Sequence, residues 1–457
     1  MRPITAQWVA NAVGGTLVAE VEAKVTSVVK DSREVTPGAL YVAFVGERVD
    51  GHDFAGAARD AGATLCLVQQ PVDAPHVLVD DVEAALGALA RAYLALLRTE
   101  GDITVIGVTG SNGKTTTKDL LAQTLPDAVA PVGSYNNEIG MPLTVLAADS
   151  TTRHLVLEMG ASGPGHIAYL ASIAPLDLAV VLTVGSAHAG GYDSPDGIAK
   201  AKAELVQGLV PGGVAILNAD DAAVAAMAPL AQHVVTYGLA SRADVRATQL
   251  KLEKGRPSFV PVVNGEAGDR VTLTLVGEHH VTNALAALAV ATQCGLSVDD
   301  AAARIASARP VSAHRMAVTE RADGIAIIDD SYNASPESMK AAFRALLDVA
   351  EGGRTVAVIG EMLEMGDASR DAHWELGHHA VRLGIDYLLV VGEGAKPAFD
   401  AAVREGSWGD EAAFVATIDE ARDYLAERLV EGDTVLVKAS HGTGLYELAD
   451  ELVRGTA

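Results

Sequence analysis

The chain has 457 residues, room for about three domains of ordinary size, and nearly half of its residues are apolar. Its 34 basic against 59 acidic side chains leave a formal charge of −25, which argues against nucleic-acid or anionic-membrane binding, since both require a basic footprint. Two cysteines make no disulfide framework, the stretch MRPITAQWVANAVGG holds no unbroken apolar leader, and no uncharged apolar run approaches the ~20 residues that span a bilayer; a cytoplasmic protein with no stable membrane insertion is expected.

Residues 1–99 carry short strand-like runs, ALYVAF (39–44), TLCLVQ (64–69) and HVLVD (76–80). The helix-period segment VEAALGALARAYLALLR (82–98) follows, and TEGD (99–102) reads as a linker. From Ile103 buried β-rich runs alternate with helices: ITVIGV, HLVLEMG, LAVVLTV, GVAILN and HVVTYG have the continuous apolar character of parallel strands covered on both faces. A polar, turn-rich stretch (241–278) reads as a short antiparallel excursion, and a helix rich in alanine begins near Asn283. After about Pro310 a second series starts, with IAIIDD, TVAVIG, YLLVVG and TVLVKAS. The expected fold is α/β with three domains, 1–99, 100–312 and 313–457, the central one a P-loop ATPase-like parallel sheet and the last Rossmann-like.

The strongest single signal is ITVIGVTGSNGKTTTKDLL (103–121), an apolar strand, a glycine-rich loop and a helix start. Such a loop curls its N–H groups round phosphate, and the helix N-terminus adds partial positive charge. Lys114 supplies a mobile cation for the terminal phosphates, and the Thr115 hydroxyl is placed to ligate Mg²⁺. The loop departs from the generic spacing, which wants glycine where Val108 stands; its glycines are Gly107, Gly110 and Gly113.

Ligands of open α/β sheets gather at the carboxyl ends of strands. Glu158 ends HLVLEMG and His188 follows LAVVLTV by four residues, so both are expected on the edge that carries the phosphate loop. Taken alone, Glu158 reads more readily as a helix-capping carboxylate and His188 as a satisfied loop histidine; the shared sheet edge and the phosphate loop bring the metal-ligand reading nearly level. Lys200 and Lys202, in GIAKAKAELVQGL, look like a solvated helix face.

With these elements in place the chain resembles the Mur ligases, the ATP-dependent amide-forming enzymes of bacterial cell-wall synthesis, over essentially its whole length. GVTGSNGKTTT matches the family's variant phosphate loop, and SYNNEIGMPLTVL (134–146), LEMGAS, SAHAGGYDSPDGIAKAKAEL, GEHHVTNALAALA, SAHRMAV, IIDDSYNASPESM, GEMLEMGDASRDAH and VKASHGTG follow in the family's order. Within the family, DDSYNASPESM is similar to the dipeptide-adding type, and the Asp-Asn-Pro-Arg segment typical of the diamino-acid-adding sister is missing from the sequence.

The resemblance implies an enzyme that joins D-alanyl-D-alanine to a UDP-N-acetylmuramoyl-tripeptide with ATP and Mg²⁺, and a monomer is expected. It places Gly110, Ser111, Asn112, Gly113, Lys114, Thr115 and Thr116 on the ATP phosphates and Thr115 with Glu158 on Mg²⁺. His188 and Lys202 would serve a second metal, Lys202 as the lysine carbamylated by CO₂. Asn283 is implied at the adenine, Arg315 at the phosphates, and Asp330 with Asn333 near the ribose and base. Asn136 and Asn137 fall in the substrate segment. Residues 31–63 resemble the domain that holds the UDP end, with Ser32 and Arg33 as contacts. The chain departs from the family pattern at His280, Ala439 and His441.

Overall fold

A computed structural model describes residues 1–20, 22–46, 48–185, 195–406 and 411–455. Three α/β units follow one another along the chain. In the first, five strands lie in the order Thr16–Val18, His76–Leu78, Leu65–Val68, Ala39–Val42, Ser27–Val29. Only the first pair is antiparallel.

The helix Val82–Glu100 leaves this sheet. Asp81 starts it by accepting hydrogen bonds from the backbone N–H groups of Glu83 and Ala84, the usual work of an aspartate N-cap. It runs through Glu100 to a cap at Gly101, so the first half of the TEGD stretch read as linker is helical. Its apolar stripe, including the fully covered Leu86, Leu89 and Tyr93, joins one core with Met141, Val145, Ile167 and Leu170 of the next unit. Each such leucine contributes about 1.5–3 kcal/mol by leaving water, so the first unit is fixed on one face of the central sheet.

The central sheet has ten strands. From one edge, Ala128–Val129, His154–Glu158, Thr104–Thr109, Leu176–Val181, Leu209–Asn218 and His233–Gly238 run parallel. The turn-rich 241–278 stretch continues this same sheet: Val245–Glu253 and Arg256–Val263 form a long antiparallel ribbon, with two short strands beyond it. The helix expected from Asn283 starts four residues earlier, as His279–Gln293, and packs its alanines into the opposite face. His279 and His280 disguise its first turn as polar loop.

The third unit has six strands in the order Ala317–Glu320, Ala326–Asp329, Thr434–Lys438, Thr355–Ile359, Tyr387–Val391, Ala412–Val415. All pairs are parallel except the first. The edge strands Ala317–Glu320 and Ala412–Val415 escaped the sequence reading: they are short and only partly buried, so they lack the continuous apolar run of a central strand. The connection between the second and third units is tied to the helix Lys114–Thr124. Gln123 accepts from the Arg309 N–H and donates to its carbonyl, and Asp119 accepts from the Ser312 N–H. No helix among the described residues is long and apolar enough to cross a membrane.

Candidate active site

The strand Thr104–Thr109 delivers the chain into the loop Gly110–Gly113, and the helix Lys114–Thr124 begins at once. Gly113 has φ +85°, and a Cβ there would stand 2.5 Å from Oδ1 of Asn283, so both backbone and neighbour require glycine. No side chain caps this helix, which leaves first-turn N–H groups directed at the loop's concavity, the arrangement that receives an anion. Lys114 folds over the loop with Nζ 2.6 Å from the Gly110 carbonyl. Val108 is a strand residue, wholly buried and paired in register with Glu158 on one side and Val180 on the other. The glycine of the generic spacing is therefore replaced by a core residue, and the loop proper starts at Gly110.

Glu158 ends the neighbouring strand, 1% exposed. The Thr115 hydroxyl donates to its Oε2 at 3.0 Å and the Asn136 amide to its Oε1 at 2.8 Å. The Thr115 oxygen also lies 3.0 Å from the Ser134 hydroxyl, which accepts from the Arg315 guanidinium at 3.0 Å. A polar chain thus runs from the start of the third unit to the buried carboxylate. Hydroxyl and carboxylate oxygens are the hard donors that Mg²⁺ takes from protein, so the residues fit that ion. Lys114 is close enough that the Glu158 charge supports its ammonium, yet its surroundings and the nearby Arg315 outweigh this and hold its amine below the usual lysine range.

A cavity of about 720 Å³ opens between the second and third units above this edge. Ser111 to Thr116, Asn283, Arg315, Asp330 and Asn333 all line it; Gly110 lies beneath, under Lys114. Arg315 stacks on the Tyr332 ring at 4.1 Å. Asp330 forms a buried ion pair with Lys438 at 2.6 Å, and Lys438 also donates to the Asn333 carbonyl at 2.7 Å. Asn333 turns its side-chain oxygen to its own neighbour's N–H. Asn283 donates to Nδ1 of His280, whose imidazole burial holds far below the usual histidine range. Neither Ser134 nor Lys438 was singled out from sequence. Lys438 ends a parallel strand as Glu158 does, so the same strand-end reasoning leads to it.

A second cavity of about 590 Å³ adjoins the first across Lys114, and Asn136, Asn137 and Lys202 line it. Lys202 corrects the sequence reading. Lys200 faces solvent, but Lys202 is only 5% exposed on the inner side of the helix Pro195–Gln207. Burial, with the Lys114 charge adding to it, brings the Lys202 amine down to about 7. Ser32 and Arg33 line neither cavity, and the Arg33 side chain is exposed and paired with Asp31 at 2.6 Å. Their neighbour Lys30 does reach the central unit, its Nζ 5.1 Å from the Tyr135 ring centre. His188 lies outside the described residues.

Three family models match the chain in succession: the Mur ligase family catalytic domain over residues 24–94, the Mur ligase middle domain over 108–291, and the Mur ligase glutamate ligase domain over 314–441. The UDP-N-acetylmuramoyl-tripeptide–D-alanyl-D-alanine ligase of Mycobacterium leprae is 43% identical, with 99% of each chain covered. Among solved structures, MurF from Acinetobacter baumannii superposes with a TM-score of 0.88 at 30% identity, covering 99% of both chains. MurF ligase from Thermotoga maritima, in complex with ADP, gives 0.79 at 31% identity over 95% of this chain and 99% of that one. With a phosphate loop, a buried carboxylate and a buried lysine set round one sheet edge, and with full-length kinship to these enzymes, the chain belongs to the three-domain Mur ligase family.

Proposed function

We propose that the protein is the UDP-N-acetylmuramoyl-tripeptide–D-alanyl-D-alanine ligase (EC 6.3.2.10) of its cell, an ATP-dependent enzyme of cytoplasmic peptidoglycan precursor synthesis. One observation carries the reading: Lys114, Thr115 and Glu158 meet at a single sheet edge, with Lys202 on the wall of the adjoining cavity. The relatives named above support the choice of substrates.

Carboxylate and amine at neutral pH form a salt, so an oxygen must first become a leaving group. The terminal carboxylate of the tripeptide attacks the γ-phosphorus of ATP and ADP departs, giving an acyl phosphate. The amine of D-alanyl-D-alanine then attacks the acyl carbon; the C–N bond forms, the C–O bond to phosphorus breaks and inorganic phosphate leaves. The first step brings anions together, so Lys114, the first-turn N–H groups and Arg315 screen the repulsion. Thr115 and Glu158 would hold Mg²⁺, which supplies further positive charge at the phosphates. Lys202, as the carbamate, and His188 would serve a second ion.

Asn283, Asp330 and Asn333 are assigned to the nucleoside, Lys438 positioning the last two, and Ser32 and Arg33 to the UDP end. Asn137 faces the peptide, while Asn136 orients Glu158. Incubating the protein with ATP, Mg²⁺, D-alanyl-D-alanine and the UDP-muramoyl tripeptide, then weighing the products, tests the reading. A pentapeptide product with one phosphate released per bond is expected. Vigorous ATP hydrolysis without either acceptor or donor, and no new bond, overturns it.

A further inference from the structure

The cavity of about 590 Å³ beside Lys114 carries a polar group that the reaction above does not use. His166, the first residue of the helix His166–Ile173, holds Nδ1 2.9 Å from the Ser162 hydroxyl and 3.2 Å from a carboxylate oxygen of Glu138. All three line the cavity together with Lys114, Lys202 and Glu364. Glu138 and His166 are partly open to solvent, so a ligand can reach them.

If the proposed reaction is right, the activated carboxylate belongs to the third residue of the peptide, and that residue's side chain leaves the same α-carbon. With the carboxylate at Lys114, the side chain has to enter space adjoining that lysine, and this cavity is such a space. A lysine side chain would end in an ammonium alone, which needs only acceptors. A diamino diacid ends in an ammonium and a carboxylate, which need an acceptor and a donor side by side. The wall provides both. Glu138 is the acceptor. With Nδ1–H of His166 given to Glu138 and to the Ser162 oxygen, the serine keeps its own O–H to donate; the far ring nitrogen, Nε2, has no hydrogen bond among the described residues and donates to a carboxylate when the ring carries both protons. A wall of carboxylates alone would repel the second acid group.

We infer that this cavity selects a tripeptide whose third residue is a diamino diacid of the diaminopimelate class over one ending in lysine, with Ser162 and His166 holding the extra carboxylate and Glu138 its ammonium. The test compares kcat/KM for UDP-muramoyl tripeptides ending in meso-diaminopimelate and in L-lysine, with D-alanyl-D-alanine as acceptor. One charge-assisted contact corresponds to a preference of about tenfold to hundredfold for the diamino diacid. His166→Ala and Ser162→Ala are expected to lower kcat/KM more for the diaminopimelate substrate than for the lysine one, closing most of that gap; His166→Gln, checked by thermal unfolding, covers a loss of fold in the alanine variant. Equal or better use of the lysine substrate, or a preference that survives every substitution, overturns the inference while leaving the ligase reading intact. Turnover of neither tripeptide overturns the ligase reading itself.

Discussion

The Thr115 hydroxyl donates to the Glu158 carboxylate across 3.0 Å, joining the first turn of the phosphate-loop helix to the end of the neighbouring strand. Because the two strands pair in register, Glu158 against Val108, the distance is set by the sheet rather than by a flexible loop. Glu158→Gln keeps the shape and the Asn136 contact but removes the charge. The Mg²⁺ concentration at half-saturation of nucleotide binding is expected to rise tenfold or more. An unchanged Mg²⁺ titration would show that the ion does not sit on this carboxylate.

Lys114→Ala should lower kcat by on the order of 10²-fold or more, since among the described residues this lysine is the cation that lines both cavities above the loop. The fold should persist, because the amine stands in surroundings that disfavour its charge. Product mass measures the first effect and thermal unfolding the second. Near-normal turnover would refute the assigned role.

Lys202 makes stability depend on pH. Its folded amine titrates at about 7 against ~10.4 in an unfolded chain. Between these values the unfolded chain binds more protons, so stability rises with pH across that window; below about 7 both states are protonated and the whole penalty of burying a charge remains. In bicarbonate-free buffer Lys202→Met is expected to be more stable than the parent at pH 6.5, the advantage shrinking toward pH 10. Denaturant unfolding at the two ends of the range decides this. The same low value leaves a neutral, nucleophilic amine above about pH 7, the form that CO₂ attacks. Labelled bicarbonate should therefore give a carbamate carbon resonance that is lost in Lys202→Met.

Tyr93 ties the first unit to the second. Its fully buried hydroxyl donates to the Ala148 carbonyl at 2.7 Å and accepts from the Arg2 N–H at 2.7 Å. Tyr93→Phe strands both groups and should cost about 1–3 kcal/mol, read from denaturant unfolding. An unchanged midpoint would mean that water or a backbone shift replaces them.

The parts of this protein that were legible in its sequence are those in which local chemistry and position coincide. Lys114 and Thr115 announce themselves because strand, glycine loop and helix start are contiguous, and Glu158 because it closes an apolar strand. Lys202 was not legible from pattern: a lysine two residues from another in a helix reads as solvated, and only the packing of Pro195–Gln207 turns one of the pair inward. The His279 helix start was masked by two polar rings, and the short edge strands by their half-exposure. Ser134, Lys438 and His166 act through partners distant in sequence, Arg315, Asp330 and Glu138, which no local spacing reveals.

The most direct measurement follows an oxygen atom. With ¹⁸O in the terminal carboxylate of the UDP-muramoyl tripeptide, activation at Lys114 and Glu158 transfers one carboxylate oxygen to phosphorus, and the released inorganic phosphate should carry the label as the amide forms. Amide formation with unlabelled phosphate would contradict a carboxylate activated by the terminal phosphate of ATP at this sheet edge.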